Sequence, residues 1–243
     1  MDIAFVDANL LAAPPPRSIF YLGQLVAARA YHPVFSPHVE READRHRKPN
    51  QRPVAHLREA LGWDMVNDHP DIASLGLDDT HPDDRPVIAA AIAADAHFIV
   101  TANVRHFGER DLARFGLSAV HPGLFLANRL TADGYREVLA QLAAMRTMPP
   151  NDEYAIHVQE VSVELPDLFN AFQDLFGPAR SASTKLPPAL RFRGVRCVRC
   201  GQVPADPASL QYGVGPECAT VQIAARGILP DDAASSAAKV SPG

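Results

Sequence analysis

Ile3-Ala4-Phe5-Val6-Asp7-Ala8-Asn9 and Phe98-Ile99-Val100-Thr101-Ala102-Asn103 share one layout: a short apolar run that stops abruptly in polar residues. Consecutive apolar side chains of this kind suit a strand buried on both faces, as in a parallel sheet covered by helices. A carboxylate placed directly after such a run is costly unless it is used or capped. Ligands of parallel α/β sheets bind at the carboxyl ends of the strands. Asp7 and Asn103 each lie just past such an end and can share one edge.

Working outward, residues 18–30 read as a helix with Ile19, Leu22, Leu25 and Val26 as its apolar positions. Residues 37–46 read as a charged helix, and 54–62 as another. Residues 85–96 form a strong helix pattern, with Asp84 in N-cap position, Pro86 in the first turn and an alanine-rich body. A strand is expected over 117–120. Pro122 opens a further helix, and Thr131 caps the next, which carries Tyr135, Val138, Leu139 and Leu142 on one face. Alternating strands and helices predict an α/β fold with a mainly parallel sheet flanked by helices, over residues 1–146.

Asp84 and Glu42 are the other candidate acids at this edge. Asp84 precedes the helix that feeds the 98–101 strand, and Glu42 lies one turn beyond Val39. Three carboxylates in one cleft repel one another unless a cation neutralises them. An all-oxygen ligand set suits Mg²⁺ or Mn²⁺. Each residue also has an ordinary alternative. Asp84 can be a plain N-cap, Glu42 a solvated helix charge among Arg41, Asp44, Arg45 and Arg47, and Asn103 a turn residue. Asp83 adjoins Asp84 and competes for the same role; the apolar helical pattern follows Asp84 directly.

The order of these elements resembles the PIN domain, a family of metal-dependent nucleases that includes VapC-like toxins. The resemblance covers roughly residues 3–130. It rests on Val6-Asp7-Ala8-Asn9-Leu10-Leu11, Ser36-x-x-Val39-x-x-Glu42, Asp84 before Val87-Ile88-Ala89-Ala90-Ala91, and Ile99-Val100-Thr101-Ala102-Asn103 followed by Phe107. His121-Pro122-Gly123-Leu124-Phe125-Leu126 matches a closing element of the family. The resemblance implies a PIN-like fold and an endoribonuclease that hydrolyses RNA phosphodiester bonds with Mg²⁺ or Mn²⁺. Asp7, Glu42 and Asp84 would be the metal-binding catalytic acids. Asn103 would stand at the fourth position, with Asn9 and Thr101 supporting. It also implies an antitoxin protein as partner and dimerisation as a common habit. Two departures stand out: Asn103 carries no charge where many members have a fourth acid, and His106 stands where relatives often carry Asp. They leave a single-metal mechanism or an Mn²⁺ preference open. They also favour the rival reading, a nucleic-acid-binding or scaffold protein with a degenerate site. A nucleotide-binding domain is disfavoured because no glycine-rich loop follows the first strand. Arg85, Arg105 and Arg110 are candidates for phosphate contact near the metal edge.

Residues 147–189 read as an acidic segment and linker. Six acids and no Lys or Arg fall within 147–179. A strand is expected near 154–163 and a helix near 166–176, with a Ser/Ala/Pro-rich linker from 178. Its helix is either a structural element or an inhibitory cover over a basic, metal-bearing groove. Residues 190–226 form a cysteine module. Cys197-Val198-Arg199-Cys200-Gly201 has zinc-knuckle spacing, and Cys218 follows after a Gly-rich turn. The module resembles small zinc-ribbon-like units; Asp206, Glu217, a histidine or water would complete the site. Arg191, Arg193, Arg196 and Arg199 alternate with apolar residues, placing them largely on one face of an expected strand. That face would either track RNA or protect a strand edge. Residues 227–243 are expected to form a disordered tail.

The chain has 243 residues, 47% of them hydrophobic, and a net charge of −5, so any nucleic-acid binding must come from local basic patches. The N-terminus has no secretory pattern, and no apolar run reaches the roughly 18 residues of a membrane span, so a cytoplasmic protein is expected. The three cysteines favour a metal site or free thiols over disulfides.

Overall fold

The computed structural model describes residues 1–47, 51–177, 186–210 and 213–219. Most of the expected linker, residues 220–226 of the cysteine module and the expected tail lie outside the described residues. The apolar runs become β1 (Asp2–Val6), β4 (Phe98–Val100) and β5 (Ser118–Val120) of one six-stranded sheet ordered β3-β2-β1-β4-β5-β6. β2 (Tyr31–Phe35), β3 (Asp64–Met65) and β6 (Phe192–Gly194) complete it. All pairings are parallel except β5 with β6. The fold is therefore α/β with a mostly parallel sheet flanked by helices.

Between the strands run α1 (Ala8–Ala12), α2 (Pro14–Val26), α3 (Pro37–Arg45), α4 (Val54–Leu61), α5 (Arg85–Ala93), α6 (Glu109–Arg114), α7 (Pro122–Arg129) and α8 (Ala132–Ala144). Thr131 caps α8 by accepting the Gly134 N–H at 3.1 Å. The core is aromatic under β1 and β4: Phe125 packs on Tyr31 and Phe98 with ring centroids 5.0 and 5.6 Å apart. The Arg129 guanidinium lies buried over the Phe125 ring and pairs with Asp2 at 2.7 Å, so its charge is balanced inside the core.

Three elements depart from expectation. β2 carries Pro33 opposite Ala4, which masks it in the sequence. β3 pairs with Val34 and Phe35 alone, so at Pro33 the sheet is edged on that side, where proline is tolerated.

The strand expected at 154–163 is helical. α9 (Glu153–Ile156), a π-helical turn (His157–Val161) and α10 (Ser162–Glu164) run on as one stretch, followed by α11 (Pro166–Ala171), which stops short of the 176 expected because Phe172 leaves the helical conformation. Asp152 caps it by accepting the Ala155 N–H at 2.8 Å. The buried positions Ile156, His157, Val161 and Leu165 follow helical spacing, while Val158 and Val163 face solvent; tertiary burial overrides the β-propensity of the valines.

The expected strand across the four arginines is confined to Phe192–Gly194. Gly194 sits at φ +127° against β5, and the Cys-x-x-Cys turn begins soon after. The buried face of 153–169 belongs to the same hydrophobic core as the sheet.

Candidate functional site

β1 ends at Val6, and the Asp7 N–H donates to Val100 O of β4 at 3.1 Å, so the two strand ends are stitched together. Asp7 then caps α1, accepting the Ala8 N–H at 2.7 Å. Its other carboxylate oxygen accepts from the Thr101 hydroxyl and the Asn9 amide, both at 2.6 Å. The Thr101 hydroxyl in turn accepts from Asn9 Nδ2 and from the Asn103 N–H, each at 2.9 Å. Asn9 Oδ1 accepts the Ala102 N–H at 3.0 Å. Asp7 is 3% exposed and held rigidly in this network.

Burial pushes the Asp7 carboxyl up to about 6. Hydrogen bonds from Thr101 and Ala8 oppose the rise, and the negative charges of Asp84 and Glu42 add to it. The three acids read from the sequence thus lie in one electrostatic neighbourhood. Glu42, on α3, is partly exposed, with His38 Nε2 3.8 Å from its carboxylate. Asn103 is exposed beyond β4, and its backbone is what ties it to Thr101.

Asp84 precedes α5, yet its side chain makes no cap hydrogen bond there. It turns inward at 13% side-chain exposure, against 92% for Asp83, which separates the two neighbours. Burial raises the Asp84 carboxyl, opposed by a hydrogen bond and positive charge from His106 and by the charge of His81. His106 Nδ1 lies 3.0 Å from Asp84 Oδ2, and His81 Nδ1 lies 3.6 Å from it. His81 was invisible in sequence because it sits in a loop without periodicity; its adjacency to Pro82-Asp83-Asp84 is the available signal. Among the described residues, the groups of three or more whose ligand atoms all lie within 4.8 Å of one another are His81/Asp84/His106 and Cys197/Cys200/Cys218. Asp7 and Glu42 do not join the first group at that range; Asp7 is linked to it through the charge of Asp84.

The cysteine triad has Cys197 buried and Cys200 exposed. Burial alone would raise the Cys197 thiol, but N–H groups of Gly215, Cys200 and Arg199 hold it below its ordinary value. Cys218 is pushed up to about 12 by burial and by the neighbouring sulfurs. Three sulfurs this close are a set that could hold a metal ion. Gly201, at φ +75°, leaves room for Asp2: a Cβ there would stand 2.5 Å from its carboxylate. Asp2 begins β1 and Asp7 follows its end, so this triad sits at the opposite edge of the sheet from the acids.

The arginines are largely engaged within the chain. Arg191 pairs with Asp167, its Nε 3.0 Å from the carboxylate. Arg193 donates to the backbone oxygens of Arg105 and Phe107 at 3.2 and 3.3 Å. Arg196 donates to Gly116 O and Gly201 O. Arg199 is half-buried beside the cysteines, Arg85 donates to Thr80 O at 3.2 Å, and the Arg105 side chain is exposed. No helix of the described residues is long and apolar enough to cross a membrane.

Compared with known proteins, the chain is similar to the putative ribonuclease VapC50 of Mycobacterium tuberculosis (strain ATCC 25618 / H37Rv), with 42% identity over 57 residues, 24% of this chain. That stretch spans 32% of the length of the curated relative it matches. No family model and no solved structure matches the chain.

Proposed function

We propose that this protein is a PIN-like endoribonuclease that depends on Mg²⁺ or Mn²⁺ and acts as the toxin of a toxin–antitoxin pair. The observation that carries the reading is Asp7: a carboxylate 3% exposed, fixed at a strand end by Thr101 and Asn9, and facing the charges of Asp84 and Glu42. Carboxylates are not concentrated at such cost without a countercharge. Asp7, Glu42 and Asp84 would hold the cation, and Asn103 would bound the site on the β4 side. When bound, the cation lowers the pKa of a water and neutralises charge on the phosphodiester. Thr101 and Asn9 fix the Asp7 oxygens. Exposed Arg105 and half-buried Arg85 are the basic groups beside the site that suit phosphate contact. The similarity to a putative ribonuclease supports the substrate class.

The test is cleavage of a mixed RNA pool by wild type and Asp84→Asn with Mn²⁺, Mg²⁺ or EDTA. Metal-dependent cutting by wild type, reduced about a hundredfold or more in the variant, is the expected result. A folded wild type that cuts under none of these conditions would instead support a binding or scaffold role for a degenerate site.

Within the same proposal, residues 190–226 act as a structural zinc module built on Cys197, Cys200 and Cys218. Purified protein is expected to carry about one equivalent of zinc, as a closed structural site does. Cys197→Ser should lose that zinc and leave metal-dependent cleavage within about threefold, because the triad lies across the sheet from Asp7. Zinc retained by Cys197→Ser would dismiss the module.

A further inference from the structure

The tightest set of metal-ligating side chains at the carboxyl edge includes two residues that the acidic reading does not use. His81 and His106 present Nδ1 to the same oxygen of Asp84, at 3.6 and 3.0 Å. Their rings stack with centroids 5.1 Å apart at 30°. Ligands bound at about 2.0–2.1 Å from one ion stand about 3–3.5 Å from each other. The His106 spacing falls in that range, the His81 spacing lies just beyond it, and all three ligand atoms lie within 4.8 Å of one another.

The frame that holds them is rigid. The His81 N–H donates to His106 O at 2.8 Å, joining the two loops directly. The Asp84 N–H donates to His81 O and the His106 N–H to Asn103 O, each at 2.9 Å. Thr80, 2% exposed, accepts the Gly108 N–H at 3.1 Å, and the buried Asp111 carboxylate accepts the N–H groups of Thr80 and Asp79 at 2.9 and 3.1 Å. A Cβ on Gly108 would stand 2.5 Å from the Asp79 backbone, so the loops meet where no side chain fits. The imidazoles are therefore delivered to Asp84 by backbone rather than by chance side-chain drift.

We propose that His81, Asp84 and His106 form a two-histidine, one-carboxylate site that takes a transition-metal dication such as Mn²⁺ in preference to Mg²⁺. Imidazole nitrogen suits Zn²⁺, Fe²⁺, Cu²⁺ and Ni²⁺. Mn²⁺, although it also takes oxygen ligands, accepts imidazole beside a carboxylate more readily than Mg²⁺, which keeps oxygen ligands and water. Three protein ligands leave coordination positions open towards Asp7, water and phosphate. The inference rests on the nuclease reading for its purpose, sharing Asp84 with it, but its test needs no cleavage.

The experiment is pulsed EPR of the full chain loaded with Mn²⁺ alone, a cation that avoids the thiolates. Wild type is expected to show nitrogen-14 couplings of directly bound imidazole. His81→Gln and His106→Gln should each reduce them, and the double variant should abolish them. The double variant should also weaken Mn²⁺ binding about tenfold or more while leaving Mg²⁺ binding within about twofold. Thermal melts verify that each variant folds. Mn²⁺ bound without nitrogen coupling would overturn the site, leaving an imidazole–carboxylate hydrogen bond only, and would leave the carboxylate nuclease reading to its own cleavage test. No Mn²⁺ binding at millimolar concentration would overturn it equally. Nitrogen coupling in a protein that cuts no RNA would support the site and sink the nuclease reading instead.

Discussion

Asp7→Asn should lower metal-dependent RNA cleavage by about a hundredfold or more, since loss of one ligand costs about 3 kcal/mol or more of transition-state stabilisation. The same change should not lower the melting temperature of metal-free protein at pH 7.5, and should raise it by a few degrees. The Asp7 carboxyl moves from its ordinary value of 3.8 to about 6 on folding. That shift corresponds to a folding penalty of about 3 kcal/mol. The sign follows from proton uptake. Between 3.8 and about 6 the folded state holds a proton that the unfolded state has released, so stability rises as pH falls through this window. Above about 6 the whole penalty is present. Asn removes it but sets an NH₂ against the Asn9 amide, which costs about 1 kcal/mol. The variant's gain should therefore be seen at pH 7.5 and vanish near pH 4. Added Mn²⁺ should stabilise wild type more at pH 7.5 than at pH 5, because below about 6 the cation must displace a proton. A variant that melts lower than wild type at pH 7.5 but not at pH 4, or that cleaves normally, would remove Asp7 from the site.

Asp7 was legible because an acid directly after Ile3-Ala4-Phe5-Val6 has few cheap explanations, and the structure places it 3% exposed at the strand end. Asn9 was legible from the same strand-end layout, whereas Thr101 came only from the resemblance; the structure bonds both to the Asp7 carboxylate. Asp84 is favoured over Asp83 in the sequence because the apolar helical pattern follows it directly, and the structure turns it inward beside His106 with no cap hydrogen bond to α5. His81 and His106 meet across the gap between two loops, and no local period encodes that approach. β2 was hidden by Pro33, whose missing N–H argues against a strand until the short reach of β3 is known. The valines of 158–163 mimic strand alternation, and burial of Ile156, Val161 and Leu165 on one helical face decides against it. The arginines of 191–196 look like a basic stripe, yet Asp167 and backbone carbonyls take them up.

Truncation to residues 1–146 should abolish cooperative folding rather than release activity. Ile156, Val161, Leu165 and Leu168 are fully buried, Phe169 is nearly so, and all join the core beneath α7 and α8. The approach is close: a Cβ on Gly123 of α7 would stand 3.2 Å from Leu165 Cα. Each such side chain stabilises by about 1.5–3 kcal/mol, so the five together contribute about 15 kcal/mol at most. That is comparable with the whole stability of a typical domain, about 5–15 kcal/mol. Truncation also strips the β6 partner from β5 and leaves the buried Tyr135 hydroxyl without His157, now 3.0 Å away. The fragment should show no sigmoidal melt by circular dichroism and should bind a hydrophobic dye. Leu165→Ala in the full chain is the gentler probe. It should cost about 2–5 kcal/mol of stability while cleavage per folded molecule stays unchanged. A fragment that melts cooperatively and cuts faster than the full chain, or a Leu165→Ala protein with raised cleavage, would make the acidic segment an inhibitory cover. Its buried face argues for the structural role, because residues that complete a core cannot lift from a site without opening the core as well.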